Sequence, residues 1–390
     1  MAEYARKFMI VAGEASGDRH AARVVEELRE LFPETEFFGA AGPKMREAGV
    51  RDVVRSDDLS IVGLIEIAKA LPMFLRARKD LLEAARLEEP DVAILVDFPD
   101  FNLKLAKSLK RQGIRVVYYV SPQIWAWRAY RIRSIRQYVD LLLTILPFEK
   151  GWYAERGIDH VEYVGNPLAR EVHATEERPD FCRRNGLDPE RPIVALLPGS
   201  RHKEIVRILP ELLKTAARML RENGEIQFVI AFAFERHRSE LETAIGLLDE
   251  SERAVLNGIR SVFGDTYNAL NAADVAAVTS GTATLETGII GTPMAIVYKS
   301  SAINYKLLRP LIRVEHFGLI NLIAERRIAA ELIQDDFTPE SLSAELFRLL
   351  SPEVNEKVRK ELKAAADKLG HGGAAKRAAA AIQRLLNKNN

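Results

Sequence analysis

The sequence predicts two successive α/β domains of similar size, each built on a parallel sheet, and three observations carry that prediction. Strand-like apolar runs alternate with amphipathic helical runs almost throughout, the pattern of a parallel sheet covered by helices. A stretch rich in Pro, Gly and charge, Gly165 to Pro192, interrupts the alternation, and the same pattern then restarts. A chain of 390 residues also suits two domains, at roughly 100–200 residues each. The expected division is a first domain at 1–168, a linker at 169–190, a second domain at 191–340, and C-terminal helices at 341–390, with a cleft between the domains.

In the first half the expected strands are Phe8–Ala12, Glu36–Ala40, Val92–Val96, Arg115–Val120 and Leu141–Thr144. Between them lie the amphipathic stretches Asp18–Leu31, Pro72–Leu87 and Leu103–Gln112, the last stopped by Gly113. In the second half Ile193–Leu197 reads as a strand, Glu204–Glu222 as a helix and Gln227–Ala233 as the next strand. Asp274–Thr279 and Met294–Tyr298 follow as strands, separated by a helix that begins near Ala283. From Pro339 onward the pattern is wholly helical.

Composition sets limits on function. Hydrophobic residues make up 47% of the chain and charged residues 28%, which suits a globular protein with a full core. The net charge of +1 supplies no field that would draw the chain to nucleic acid, so an anionic partner must meet a local patch. The lone Cys182 excludes an intrachain disulfide and fits a reducing compartment. The apolar run Phe8–Ala12 is too short for a signal-peptide core. No stretch reaches the roughly 18–20 apolar residues of a membrane span; the longest, Ile61–Leu75, is broken by Glu66, Lys69 and Pro72.

Ligands of open α/β sheets bind beyond the carboxyl ends of the strands, so the loops after strands carry most weight. The first, Gly13-Glu14-Ala15-Ser16-Gly17-Asp18, has the glycines of a tight turn without the dinucleotide GxGxxG spacing. Its carboxylates would repel a pyrophosphate at the helix N-terminus, which favours contact with sugar hydroxyls; Asp18 alone suits a helix cap equally well. Asp97 closes Val92–Val96 and is placed either to take a proton from an attacking hydroxyl or to stabilise its own loop. Asp100 or Asn102 suits the cap of the following helix.

The second half carries the opposite chemistry. Pro198-Gly199-Ser200-Arg201-His202-Lys203 joins small residues to a fixed positive charge at a helix start, where the dipole disfavours cations, and so points to an anion. Ser280-Gly281-Thr282-Ala283-Thr284 presents amides and hydroxyls at another helix start, and Glu286 sits one turn on, suited to a vicinal diol. An ordinary capped helix would look similar. There is no DxD, no HExxH and no Cys/His cluster, so neither a metal nor another cofactor is expected. Serine-nucleophile chemistry lacks its GxSxG.

Two basic, apolar stretches remain. Leu71, Met73, Phe74 and Leu75 beside Arg76, Arg78 and Lys79 suit an anionic lipid surface, or else a packed face with a solvated basic edge. Trp125-Ala126-Trp127-Arg128 through Arg136 suits a phosphorylated substrate, with a packed aromatic corner as the alternative.

Together these segments resemble one family, the lipid-A-disaccharide synthases. The resemblance rests on AGEASGD (Ala12–Asp18), LSIVGLIE (Leu59–Glu66), VDFPDFN (Val96–Asn102), YVSPQIWAWR (Tyr119–Arg128) and LPFE (Leu146–Glu149). It continues through LLPGSRHKEI (Leu196–Ile205), SGTATLE (Ser280–Glu286) and INLIAERRIAAELIQ (Ile320–Gln334). Asn166, where His is expected, and Ile320 and Ala330, where Pro is expected, depart from it.

The resemblance implies a GT-B fold of two facing Rossmann-like domains, with the C-terminal helices returning to the first. It implies an inverting transfer from UDP-2,3-diacylglucosamine to 2,3-diacylglucosamine 1-phosphate, giving lipid A disaccharide 1-phosphate and UDP. Asp97 would then be the base on the acceptor 6-hydroxyl, with Glu14, Ser16, Asp18 and Arg128 on the acceptor side. Gly199, Ser200, Arg201, Ser280, Gly281, Thr282 and Thr284 would hold the diphosphate, Glu286 the ribose, and Asn321 and Gln334 would join the donor site. The resemblance also implies a cytoplasmic protein peripheral to the inner membrane; a homodimer is carried without a residue pattern to specify it. Another UDP-sugar transferase or epimerase, or a non-catalytic nucleotide-binding regulator, stands as the alternative. The scheme demands that Asp97 not be buried away from the cleft and that Arg201 not turn outward to bulk solvent.

Overall fold

In the computed structural model, residues 6–59, 64–301 and 315–387 are described, those at 58, 59 and 64–70 by backbone alone. The LSIVGLIE segment therefore lies outside the described side chains. The chain divides into two compact units, Met1–Pro167 with His371–Asn390, and Leu168–Gly370.

The first unit holds β1 (Lys7–Ala12), β2 (Glu36–Ala41), β3 (Arg51–Arg55), β4 (Val92–Val96), β5 (Arg115–Tyr119), β6 (Leu141–Thr144) and β7 (Val161–Tyr163). They pair, all parallel, in the order β3-β2-β1-β4-β5-β6-β7. Strands buried on both faces must be apolar throughout, which is why β1 and β4 read as unbroken hydrophobic runs. One face packs against helix α1 (Ala15–Leu31), whose Val24, Val25 and Leu28 meet a core shared with Ala378, Ile382 and Leu386 of the final helix, Ala374–Asn387. Helix α2 (Pro43–Glu47) follows β2. The opposite face is covered by helix α3 (Leu64–Glu88) and helix α4 (Pro99–Arg111) through Ala77, Leu81, Leu105 and Leu109.

The second unit holds β8 (Ile193–Leu197), β9 (Gln227–Phe232), β10 (Arg260–Phe263), β11 (Val275–Thr279), β12 (Met294–Tyr298) and β13 (Ala330–Ile333), again all parallel, in the order β10-β9-β8-β11-β12-β13.

Two parts of the chain differ from the sequence reading. The segment 169–190, expected as a linker, belongs to the second unit: Phe181 and Cys182 of the helix Arg178–Asn185 are fully buried, and Arg178 pairs with Asp274 at 2.9 Å. The C-terminal helices part company. Pro339–Leu350 and Pro352–Asp367 stay with the second unit, and only Ala374–Asn387 joins the first, where Arg377 donates to the Val164 carbonyl at 2.8 Å. No helix among the described residues is long and apolar enough to cross a membrane.

Candidate active site

Each sheet changes winding direction once, between β1 and β4 in the first unit and between β8 and β11 in the second. At such a point the two following loops leave the sheet in opposite directions and open a crevice at the strand ends. The loops flanking the first switch are Gly13–Asp18 and Asp97–Asn102; those flanking the second are Pro198–Lys203 and Ser280–Thr284. The four motifs singled out from sequence are therefore the four switch-point loops.

In the first unit the β4 loop is strained and firmly held. Asp97 and Phe98 both adopt left-handed conformations, each at φ 49°, a region costly for residues with a Cβ. Tyr118 donates its hydroxyl to the Asp97 carbonyl at 2.6 Å, and Asn102 donates its amide to the same oxygen at 2.8 Å. The Asp97 amide N–H donates to the Tyr119 carbonyl at 3.0 Å. The Phe98 ring lies where a Cβ on Gly13 would be, 2.3 Å away, so glycine at 13 is what lets the β1 and β4 loops approach.

Asp97 is half-buried. Burial pushes its carboxyl up to about 6, Glu14 adds in the same direction, and the Phe98 amide opposes them. No described side chain hydrogen-bonds or ion-pairs with that carboxylate. It is a fixed, partly desolvated proton acceptor poised near neutral pH, the condition for general base work.

The neighbours of Asp97 sort differently. Glu14 is the N-cap residue of α1 with an exposed side chain that makes no capping bond, and Ser16 is half-buried in the first turn. Asp18 is corrected: it is 2% exposed, and its carboxylate accepts the amides of Gly42, Lys44 and Met45 at 2.9, 2.8 and 3.2 Å. It caps α2 and has no capacity to spare for a sugar. Arg128, itself left-handed at φ 56°, holds both Asp100 oxygens at 3.0 and 3.2 Å and lies over the Trp127 ring; Arg131 also grips Asp100.

Trp125 and Glu149 explain the aromatic motif. Trp125 is buried and donates its indole N–H to Glu149 at 3.0 Å, while the Leu146 amide donates to the other Glu149 oxygen at 3.0 Å. Burial pushes the Glu149 carboxyl up to about 7 against those bonds. SPQIWAWR and LPFE are thus two halves of one packed corner.

On α3 the apolar cluster divides by helix face. Met73 and Phe74 pack on the core, Phe74 with its ring 6.1 Å from Phe98 and 6.3 Å from Phe101. Arg78 is tied to Ser108 at 2.7 Å. Those three are corrected to packing residues. Leu71 and Leu75, one turn apart, are 54% and 56% exposed, and Arg76 is exposed beside them.

In the second unit Gly199 takes φ 112°, and a Cβ there would fall 2.9 Å from the Glu204 carboxylate. Glu204 accepts from the Ser200 amide at 3.4 Å and from the Arg201 guanidinium at 2.9 Å. The Arg201 side chain is 72% exposed, so the outward turn that the scheme was required to avoid is what the structure has. This loop offers an anion its backbone first, with the guanidinium tethered at its rim. Below it lie residues the sequence reading lacks. His237 is buried, with Nδ1 3.1 Å from Glu240 and Nε2 3.1 Å from the Ser200 carbonyl, and His202 Nδ1 is 2.9 Å from the same Glu240 oxygen. The only sequence signal was the i,i+3 spacing of His237 and Glu240.

At the β11 loop Gly281 adopts φ 151° and ψ −160°, a region essentially reserved for glycine. Gly281 and Thr282 are exposed. Ser280 donates its hydroxyl to the Phe317 carbonyl at 3.0 Å, and Thr284, fully buried, donates to the Gly281 carbonyl at 2.8 Å. These two hydroxyls shape the turn. Glu286 is half-buried and accepts the Tyr267 hydroxyl at 3.0 Å.

Asn321 and Gln334 are corrected. Asn321 is fully buried; it donates to the Ala329 carbonyl at 2.8 Å and to Glu331 at 2.9 Å, and accepts the Ile328 and Ala329 amides at 2.9 and 3.0 Å. Gln334 accepts the Ser300 amide at 2.6 Å and donates to the Ser300 carbonyl at 3.3 Å. The Asn321 amide is wholly consumed in holding the start of β13, and the half-buried Gln334 ties the end of β13 to Ser300. No group of three or more acidic, His or Cys side chains suited to a metal ion occurs among the described residues.

The family model described as Lipid-A-disaccharide synthetase matches residues 8–384. The lipid-A-disaccharide synthase of Syntrophus aciditrophicus (strain SB) is 43% identical over 98% of both chains. Among solved structures, the S. aureus MnaA-UDP co-structure aligns at a TM-score of 0.64 and 12% identity, covering 98% of this chain and 97% of that one. The calicheamicin glycosyltransferase CalG4 aligns at 0.57 and 16%, covering 99% of each. At such identities these two structures speak for the fold, the GT-B arrangement of two parallel-sheet α/β domains.

Proposed function

The chain belongs to the lipid-A-disaccharide synthetase family, and from that premise we propose how its residues divide the reaction. It is a glycosyltransferase that makes the lipid A disaccharide from a UDP-linked and an acylated glucosamine. Asp97 is the general base. As the acceptor 6-hydroxyl oxygen forms its bond to the donor anomeric carbon, its proton passes to the Asp97 carboxylate. The bond from that carbon to the diphosphate breaks, and its electron pair leaves with UDP, so the configuration inverts.

The Arg201 amide and the amides of the Gly281–Thr282 turn receive the charge that grows on the diphosphate, at the starts of the helices His202–Glu222 and Thr282–Ile290. Glu286 meets the ribose, while the Arg201 guanidinium, paired with Glu204 and turned outward, stays at the rim of the loop and is not assigned to the diphosphate. This division calls for no metal ion. Glu14, Ser16 and Arg128 border the acceptor. The protein works at the cytoplasmic face of the inner membrane, held there by Leu71, Leu75 and Arg76, as a monomer or a homodimer.

The single observation that carries the base assignment is the strained, pinned Asp97, whose carboxylate has no partner among the described side chains. Mass spectrometry of a reaction containing UDP-2,3-diacylglucosamine and 2,3-diacylglucosamine 1-phosphate tests the whole reading. Disaccharide phosphate and UDP should appear in equal amounts; UDP binding without product would instead mark a regulator.

A further inference from the structure

Among the described residues, His237 is the buried histidine whose two ring nitrogens both meet acceptors. Nδ1 faces the Glu240 carboxylate at 3.1 Å and Nε2 faces the Ser200 carbonyl at 3.1 Å. Neither oxygen can donate. A carbonyl never does, and the Glu240 carboxyl is held down at about 2 by hydrogen bonds from His202, His237 and Ser239 against its burial. The Ser200 carbonyl can only accept, so His237 Nε2 donates to it.

The other charged groups nearby are already engaged. His202, at the head of the helix His202–Glu222, shares the same Glu240 oxygen at 2.9 Å. Arg236 lies over the Phe234 ring, Arg238 pairs with Glu235 and covers Phe263, and Glu204 is bound to Ser200 and Arg201.

The bond to Ser200 has a consequence across one peptide plane. In a trans peptide the C=O of one residue and the N–H of the next point in opposite directions. With the Ser200 carbonyl drawn down onto His237, the Arg201 N–H points away from His237.

We propose that His237 is a positioning residue: by holding the Ser200 carbonyl it aims the Arg201 amide at the diphosphate of the donor nucleotide. This rests on the reading of the Pro198–Lys203 loop as the diphosphate site. A side chain at 237 without a donor releases the Ser200 carbonyl, and the amide loses its aim. A glutamine amide there can still donate to that carbonyl.

UDP titration by calorimetry on the wild-type chain, on His237→Leu and on His237→Gln tests this. His237→Leu should bind about tenfold more weakly, the loss expected for one hydrogen bond, and His237→Gln, whose amide can still donate to the Ser200 carbonyl, should recover most of that loss. Equal affinity in His237→Leu, or an equal loss in both variants, overturns the proposal. Thermal unfolding checks that the variants are folded. If His237→Leu is not, His237→Asn carries the test: its shorter amide should bind UDP more weakly than His237→Gln, and equal affinity of the two overturns the proposal. Failure of the wild-type chain to bind UDP would instead remove the diphosphate-site reading itself.

Discussion

The loop after β4 and the segment from His316 to Gln334 both hold polar side chains beside the end of a strand, yet they spend their hydrogen bonds in opposite ways. Asp97 sits in costly backbone geometry fixed by Tyr118 and Asn102, while its carboxylate takes no partner among the described side chains. Asn321 is fully buried and uses its whole amide on Ala329, Ile328 and Glu331; Glu331 in turn accepts the Phe317 and Gly318 amides. A polar residue in a strand-end motif is a chemical group only if the scaffold leaves its functional atoms unspent. Backbone strain held in place by other residues marks the first kind, and saturated hydrogen bonding marks the second.

The largest effect that would sharpen this contrast is on rate. Asp97→Asn keeps the size and the backbone hydrogen bonds, and Asn tolerates the left-handed conformation. Turnover should fall about 10²–10⁴-fold with the melting temperature nearly unchanged. In the wild-type chain, kcat/KM should also decline as pH falls through about 6, where Asp97 takes up its proton, and the variant should lack that limb. Steady-state kinetics across pH 5 to 8 checks both; near wild-type turnover would break the contrast.

Asn321→Ala should do the reverse. Removing the amide leaves the Ile328 and Ala329 N–H groups and the Ala329 carbonyl without their buried partner, at a cost of about 2–4 kcal/mol in stability. Chemical denaturation measures it. Residual folded protein should turn over at close to the wild-type rate, because the side chain touches no substrate; a large drop in kcat with little loss of stability would return Asn321 to the donor site.

The same distinction sets what the sequence could show. Interior strands such as β1, β4 and β8 are buried on both faces, so they appear as unbroken apolar runs, and the sequence reading finds them within a residue or two. The four strands it lacks, β3, β7, β10 and β13, are the four sheet edges. Arg51–Arg55 and Arg260–Phe263 are half-exposed and carry charge, so nothing periodic announces them. The four switch-point loops were legible because core packing alone seldom sets small residues beside charge at a strand end. The partners of Asp18, Asn321 and Gln334 were not legible, since those bonds span 7 to 34 positions or close onto backbone that no motif reports. His237 was hidden for the same reason, lying 37 positions from Ser200.

Glu149 tests whether a motif residue can be wholly architectural. Its carboxyl stands at about 7, above its ordinary 4.5, because burial outweighs the bonds from Leu146 and Trp125. A raised carboxyl contributes stability that is complete below the unfolded value and is lost as pH rises through the folded one. The stability of the wild-type chain relative to Glu149→Gln should therefore decline between about pH 4.5 and 7 and level off above, by as much as about 3 kcal/mol. Thermal melts of both chains at pH 5, 6, 7 and 8 read this out. A difference independent of pH would mean that the corner is wet or that Glu149 is already ionised.

The smallest stability effect belongs to α3, where the contrast between spent and unspent groups is apolar. Phe74 spends its ring on Phe98 and Phe101, directly behind Asp97, whereas Leu71 and Leu75 lie one turn apart and are more than half exposed. Two leucines left more than half open at i,i+4 beside Arg76 would gain from an anionic lipid surface, at about 25 cal/mol per Å² of apolar area buried there. Leu71→Ser with Leu75→Ser should therefore weaken sedimentation with phosphatidylglycerol vesicles severalfold while changing unfolding free energy by about 0.5 kcal/mol or less. Phe74→Ser should unfold the loop behind the base, at about 3 kcal/mol or more. If the double variant lost stability on that scale and kept its vesicle binding, Leu71 and Leu75 would be packing residues like Phe74, and the lipid surface would have to be sought elsewhere on the chain.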